Sequence, residues 1–304
     1  MAARVRRCAQ SVTILHEGPN KGKPPHNAYG ALDAAGVNVL WCDDLDDASA
    51  CLGKLGGASF DAVVDNWSKS PEQIEPYAAA AKGWGVSSYS FVSSAGMYTP
   101  ADDGPVSEDC AVKSSGQRQA EEKIAEMGLP YSYFRPQYIY GPCQGKSYLA
   151  FFFDRLSRGQ PVPVPNAGDQ FVTMTHAADN AAMIAAAVGN EAAVGEAFNC
   201  ATGSLVTYDE LVGLCAKAAG VTPTITHYDP KGFEKPDGFK FKFPFRDTAF
   251  FVSADKASKL LGFKEKNTIA DDIAWYYTDN YVATGAADKE LDFSDDAIVL
   301  AAKL

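Results

Sequence analysis

The stretch Tyr89 to Pro100, YSFVSSAGMYTP, constrains this chain more than any other. Tyr89, Ser90, Phe91 and Val92 form a short apolar run of strand formers that stops at Ser93-Ser94-Ala95-Gly96. A buried parallel strand ending in small hydroxyl residues delivers them to the carboxyl edge of its sheet, where open α/β sheets bind ligands. A buried strand followed by a turn is the plainer reading of this stretch alone. The rest of the chain decides between them.

Strand-like runs recur with helical patterns between them. SVTILHEG (Ser11 to Gly18), VNVLW, FDAVVDNWS (Phe60 to Ser68), YSYFRPQYIYGP (Tyr131 to Pro142) and GEAFNCATG (Gly195 to Gly203) read as strands. Helices are expected near Tyr29 to Ala35, Pro71 to Lys82, Ser115 to Met127 and Phe151 to Arg158. Another ends at Val188, and one through Ala219 opens on a Thr207/Glu210 capping box. This alternation predicts a Rossmann-like, doubly wound parallel sheet with a smaller C-terminal lobe. The core is expected mainly over 11–144, 165–203 and 247–282, the lobe over 145–164 and 204–246, and a tail over 283–304.

No G-x-G-x-x-G occurs, and Gly18 and Gly22 lie in a proline-rich loop that cannot open a helix as a pyrophosphate cradle. The Arg-rich, acid-free start from Met1 to Gln10 fits the end of a transit peptide or, preferably, the end of a helix whose strand and glycine turn are missing. The first strand of such a sheet is central, so its loss leaves buried backbone groups without partners. Either more residues lie upstream, or SVTILHEG pairs directly with FDAVVDN.

The net charge of -11 argues against a broad electrostatic grip on nucleic acid, while allowing a local basic patch. Cys8, Cys42, Cys51, Cys110, Cys143, Cys200 and Cys215 are odd in number and form no C-x-x-C pair, which predicts free thiols in a reducing compartment. The histidines have no metal-ligand spacing. No apolar run is long enough to span a membrane.

With these elements in order, the hub resembles the active-site strand of the extended short-chain dehydrogenase/reductases, the NAD-dependent epimerase/dehydratase class. There the second serine polarises a substrate oxygen and a tyrosine follows four positions later; Ser94 and Tyr98 stand in those places. Arg135, Pro136, Tyr140, Gly141 and Pro142 match the class's R-P-x-x-x-Y-G-P turn. His176 and Asp179 match its histidine and aspartate helix cap, and SADKASKLLGFKEK its L-G-F/W-x-P element with lysine for proline. Asp43 to Asp47 resembles the G-D-L-x-D segment that borders adenine, although an acidic loop before a helix fits as well. The resemblance implies dinucleotide contacts at Asp44, Asp65, Asn66 and Ser93. NAD(P) is expected only where a first strand and glycine loop exist.

The class also carries Y-x-x-x-K, whose lysine lowers the tyrosine pKa. Registering Ala120-Glu121 on its A-E step puts Lys113 at the tyrosine and Gln117 at the lysine; sliding by one gives Ser114 and Arg118. Neither register supplies a phenol, so standard hydride chemistry is not expected.

Three further segments narrow the resemblance: HYDP (His227 to Pro230), FKFPFRD (Phe241 to Asp247) and KELDFSDDAIVL (Lys289 to Leu300). With FFFDRLSRGQPVPVPNAG and the missing Tyr/Lys pair, they resemble the chloroplast stem-loop-binding proteins. That resemblance implies a stromal protein acting on stem-loop RNA, rRNA or mRNA, with ribosomes, transcription complexes or other subunits as partners. It also implies endoribonuclease activity dependent on a divalent metal such as Mg²⁺. Glu108, Asp109 and Asp179 are carboxylates that such chemistry would draw on, but none is assigned a role. A sugar epimerase or reductase using NAD(P) would keep Ser94, Arg135 and Tyr140. A non-catalytic assembly factor is the third reading.

One local pattern stands apart from the family name. Phe239, Phe241, Phe243 and Phe245 alternate with Lys240, Lys242, Pro244 and Arg246. In an extended segment this puts the rings on one face and the cations on the other. Packing of the rings into the smaller lobe accounts for the pattern; so does a cationic face on RNA phosphate, and both readings can hold. Lys240, Lys242 and Arg246 are the expected RNA contacts.

Overall fold

The computed structural model describes residues 11–18, 29–100 and 104–304. Strand β1 (Thr13–Glu17), helix α1 (Tyr29–Ala34), β2 (Asn38–Cys42) and α2 (Ala48–Gly53) come first. β3 (Ala62–Asp65), α3 (Pro71–Trp84), β4 (Ser88–Val92), α4 (Gly116–Glu126), β5 (Tyr131–Pro136) and β6 (Ile139–Tyr140) follow. Next are α5 (Ala150–Leu156), β7 (Val162–Pro165), β8 (Phe171–Thr173), β9 (Thr175–His176), α6 (Ala177–Ala187) and β10 (Glu196–Cys200). β11 (Leu205–Thr207), α7 (Tyr208–Ala219), β12 (Ile225–Tyr228), α8 (Asp255–Leu261), α9 (Ile269–Trp275) and α10 (Ser294–Ala301) complete the order.

A parallel sheet runs β10-β5-β4-β3, with the hub strand β4 between β3 and β5. Alternate residues of β5 serve opposite layers, as the pleat requires. Tyr133 packs with Tyr89, Phe91, Ile74, Ala78, Ala120 and Ile124 under α3 and α4. Phe134 faces Phe198, Met183, Ile184, Ala257 and Phe263 under α6 and α8. Burying each such ring contributes roughly 1.5–3 kcal/mol, which fixes the register of the sheet.

Local signals place the helix ends. Ser70 caps α3 before Pro71, and Gly85 closes it in the left-handed conformation at φ 71°. Thr207 and Glu210 form both halves of the expected capping box on α7. At α6 the expectation needs correcting: the N-cap is His176, whose Nδ1 accepts from the Ala178 N–H. Asp179 lies inside the first turn and accepts from the backbone N–H groups of Lys266 and Asn267, tying α6 to the segment after α8.

The first strands depart most from expectation. Among the described residues, β1 pairs only with β2, in a separate two-stranded parallel sheet. It does not close onto β3, which among the described residues pairs with β4, so direct pairing of SVTILHEG with FDAVVDN does not occur. The pattern was right about strands, but pairing is non-local and leaves no mark on periodicity. The helix expected before Gln10 lies outside the described residues. Cys42 at the end of β2 is bonded to Cys51 in α2, with Cα atoms 5.5 Å apart, which corrects the free-thiol expectation for that pair. Spacing alone did not show that α2 folds back to bring them together. Cys110, Cys143, Cys200 and Cys215 are free.

The smaller C-terminal region is built around α5, α7, β7 and β12, with Phe152, Phe153, Leu211, Val212, Phe243 and Phe245 in one apolar cluster. Arg155 of α5 holds Asp296 of α10 through two hydrogen bonds of 2.7 and 2.9 Å, fastening the tail to this cluster. No helix among the described residues is long and apolar enough to cross a membrane.

Candidate functional site

The hub turn delivers its residues to the sheet edge, and most of them are then occupied internally. Ser93 is buried, and its Oγ has no partner among the described residues. Ser94 caps a short 3₁₀ turn, its Oγ accepting from the Gly96 N–H at 3.0 Å. Tyr98 is buried; its hydroxyl donates to Asn199 Oδ1 at 2.8 Å and accepts from Arg135 Nη1 at 2.9 Å. Burial pushes this phenol up to about 12, although Arg135 pulls the other way.

Arg135 spends its other nitrogens on Glu121, at 3.0 Å from Nε and 2.7 Å from Nη2. Burial by itself would lower the guanidinium pKa, but the Glu121 carboxylate more than offsets it and leaves it raised. Glu121 has no exposed side-chain surface and also accepts from Arg118. Asn199 extends the chain of bonds: its amide donates to the Val106 carbonyl and its N–H to Glu108. Tyr98 and Arg135 are thus brought together, with Glu121 and Asn199 as partners that the family motif did not reveal. A signal for Glu121 was present, because it stands beside Ala120 and three residues before Ile124 on the buried face of α4.

The other expected positions lie apart from this network. Lys113 is exposed, its N–H bonded to the Met97 carbonyl, and Gln117 is half-buried. Between them Gly116 packs so tightly that a Cβ would stand 2.3 Å from the Lys69 carbonyl oxygen. Tyr140 donates to Asp272 at 2.7 Å and lies edge-on to His176; burial, then Asp272, raises its pKa. Burial lowers the pKa of His176. Asp65 caps the turn at Trp67 and Ser68, Asp44 holds the Asp46 N–H, and Asn66 is exposed.

These residues do not fit nicotinamide chemistry. In either register the expected phenol is absent, Lys113 and Ser114 both being exposed, and the buried phenol of Tyr98 has its proton committed to Asn199. Nor do the described residues bring three His, Cys, Asp or Glu side chains together as a metal site. Glu108 is engaged by Asn199, Asp179 by Lys266 and Asn267, and Asp109 is exposed. No step through a dinucleotide or a metal follows from this arrangement.

The 239–246 segment is irregular rather than a strand. Phe243 and Phe245 are buried at 8% exposure, while Phe239 and Phe241 are half-buried. Lys240 and Lys242 are exposed. Arg246 does not share their face: its Nη2 donates to the carbonyls of Gly96 and Tyr98, and its guanidinium lies 3.5 Å over the Phe250 ring. The period-two expectation fails here because the backbone is not extended through Pro244, which has no N–H for a ladder. Arg246 instead clamps the smaller region onto the hub turn.

Comparison with known proteins bears on the family and the fold. Residues 75–201 match the NAD dependent epimerase/dehydratase family. Over 266 residues, the chain is 36% identical to the chloroplast stem-loop binding protein of 41 kDa b from Arabidopsis thaliana, covering 86% of this chain and 69% of that protein. The chain belongs to the chloroplast stem-loop-binding protein family. Solved structures with the same fold include an epimerase from Methanothermobacter thermautotrophicus, at TM-score 0.68 and 17% identity over 94% of this chain and 97% of that one. The dTDP-glucose 4,6-dehydratase DesIV of Streptomyces venezuelae gives TM-score 0.69 and 20% identity over 93% and 94%. The fold is thus that of the epimerases, and in this chain Tyr98 and Arg135 meet within its hub.

Proposed function

We propose that this chain binds stem-loop RNA in the chloroplast, using exposed lysines of the 231–242 segment, on an epimerase scaffold that no longer performs hydride chemistry. The observation that carries this reading is the contrast in how cations are used. Arg135, Arg155 and Arg246 are committed inside the protein. Lys240 and Lys242 are exposed and enter no ion pair among the described residues. In an acidic chain, such a patch confines a polyanion to one side. The similarity to a chloroplast stem-loop binding protein supports RNA as that polyanion.

The test is a salt titration of binding to a hairpin RNA. Each lost phosphate contact to a single strand flattens the slope of log K against log salt by about 0.7. Lys240→Ala/Lys242→Ala should therefore flatten it by about 1.4 while the fold is kept. An unchanged slope and affinity in the folded double variant overturns the RNA reading at this segment. Hairpin cleavage assayed with and without Mg²⁺ decides the endoribonuclease extension separately.

A further inference from the structure

The ring contacts of the smaller region form a ladder from core to surface. Phe243 lies 5.0 Å from Tyr208 and 5.4 Å from Phe151, between ring centroids. Phe241 follows, 5.9 Å from Tyr228, then Phe239 at 6.2 Å from Phe241. Phe233 completes it, 5.8 Å from Phe239 and 6.1 Å from Tyr228. Exposure changes along the ladder: Phe243 is buried, while Phe241, Phe239 and Phe233 are partly open to solvent.

The outer rungs are out of keeping with a purely structural role. A run of rings serving only the core would end where the core ends, yet Phe233 and Phe239 sit among exposed Lys231, Lys235, Lys240 and Lys242. Those lysines outnumber the acids of the same stretch, Glu234 and Asp237, in a chain of net charge -11. None of them enters an ion pair among the described residues, and the Asp295 carboxylate beside Lys240 is taken up by the backbone N–H groups of Lys240 and Phe241. Phe233 and Phe239 are inclined at 52°, so neither ring covers the face of the other.

We propose that Phe233 and Phe239 stack on unpaired RNA bases while the flanking lysines hold the adjoining phosphates. This deepens the RNA reading above and rests on it. Rings beside cations are the arrangement that grips single strands, because every base has a stackable face and every nucleotide a phosphate. A paired A-form stem hides those faces, so its contacts are to phosphate and 2′-hydroxyl. The segment would therefore read the loop of a hairpin, and the lysines alone would hold its stem.

Three RNAs test this: a hairpin, its single-stranded loop sequence, and a blunt duplex of the stem. Phe233→Leu/Phe239→Leu should weaken binding to the single strand and the hairpin by at least about ten-fold, given the usual strength of base stacking. Duplex binding and the salt slope should not change. Phe233→Tyr/Phe239→Tyr, which keeps the rings, should bind like the natural protein and guards against a trivial folding defect. A 2-aminopurine in the loop should be quenched by the natural and tyrosine forms but not by the leucine form. Equal losses on duplex and single strand, or none on either, overturn the stacking proposal. If the phenylalanine variants are silent while Lys240→Ala/Lys242→Ala weakens all three RNAs, stacking falls and the RNA reading stands. If the lysine variant is silent as well, the RNA reading itself falls.

Discussion

The hub turn and the 239–246 segment contain similar residues and use them in opposite ways. At the hub, Tyr98, Arg135, Glu121, Asn199 and Glu108 satisfy one another inside the protein. In the segment, two rings are buried, two are half-buried, and Lys240 and Lys242 face water. A fully satisfied buried network is rigid and leaves little to offer a ligand. Solvated cations beside open rings have the reverse character. The residues that make this chain look like an epimerase are therefore part of its frame, while the open rings and solvated cations lie at its rim.

Breaking the hub should have the largest effect. Arg135→Met leaves Glu121 buried without its main partner and should cost about 3–5 kcal/mol, read from the urea unfolding midpoint. Arg135→Met/Glu121→Leu should recover much of that loss, since the pair itself gives little net stability over apolar packing. A single variant within about 0.5 kcal/mol of the natural protein would show that the network is not structural. Next comes the ring gradient. Phe243→Ala should cost about 3 kcal/mol, whereas Phe239→Ala should cost under about 1 kcal/mol. Equal costs would erase the distinction between inner and outer rungs.

Arg246 sharpens the comparison because it bridges the two regions. Removing its bonds to Gly96 and Tyr98 and its contact with Phe250 should cost about 1–3 kcal/mol in Arg246→Ala. Hairpin affinity should follow the lysines and not this residue. If Arg246→Ala flattens the salt slope as a lysine variant does, its guanidinium leaves the clamp to meet RNA.

What was legible in the sequence follows from range. Strand runs, the Ser70 and Thr207 caps and the Gly85 stop are local, and each is written within a few residues of where it acts. Partners far apart in the chain were not legible. Arg135 and Glu121 stood in recognisable motifs, but nothing in either said that they would meet, nor that Cys51 would return to Cys42. The β1 register with β2 and its separation from β3 were hidden for the same reason. At Arg246 the backbone does not keep the period of an extended strand, so in the sequence a clamp looks like a free cation.

The smallest effect concerns Glu108, where the hub network meets partial exposure. Its carboxyl pKa is raised above the ordinary 4.5, first by burial, with the Asn199 N–H bond and the charges of Lys256 and Arg135 acting against the rise. Folding thus favours the protonated acid. The stability this contributes is fully present below 4.5 and is lost as pH rises through the raised value. Glu108→Gln keeps an acceptor for the Asn199 N–H and removes the charge. The variant should be more stable than the natural protein at about pH 7, and the difference should vanish by about pH 4, where both side chains are neutral. Paired urea titrations at the two pH values measure it. A difference that does not change with pH would mean that burial does not control this carboxyl. A glutamine variant weaker at about pH 7 would mean that the ionised Glu108 is a working member of the hub, held there by Arg135 and Lys256.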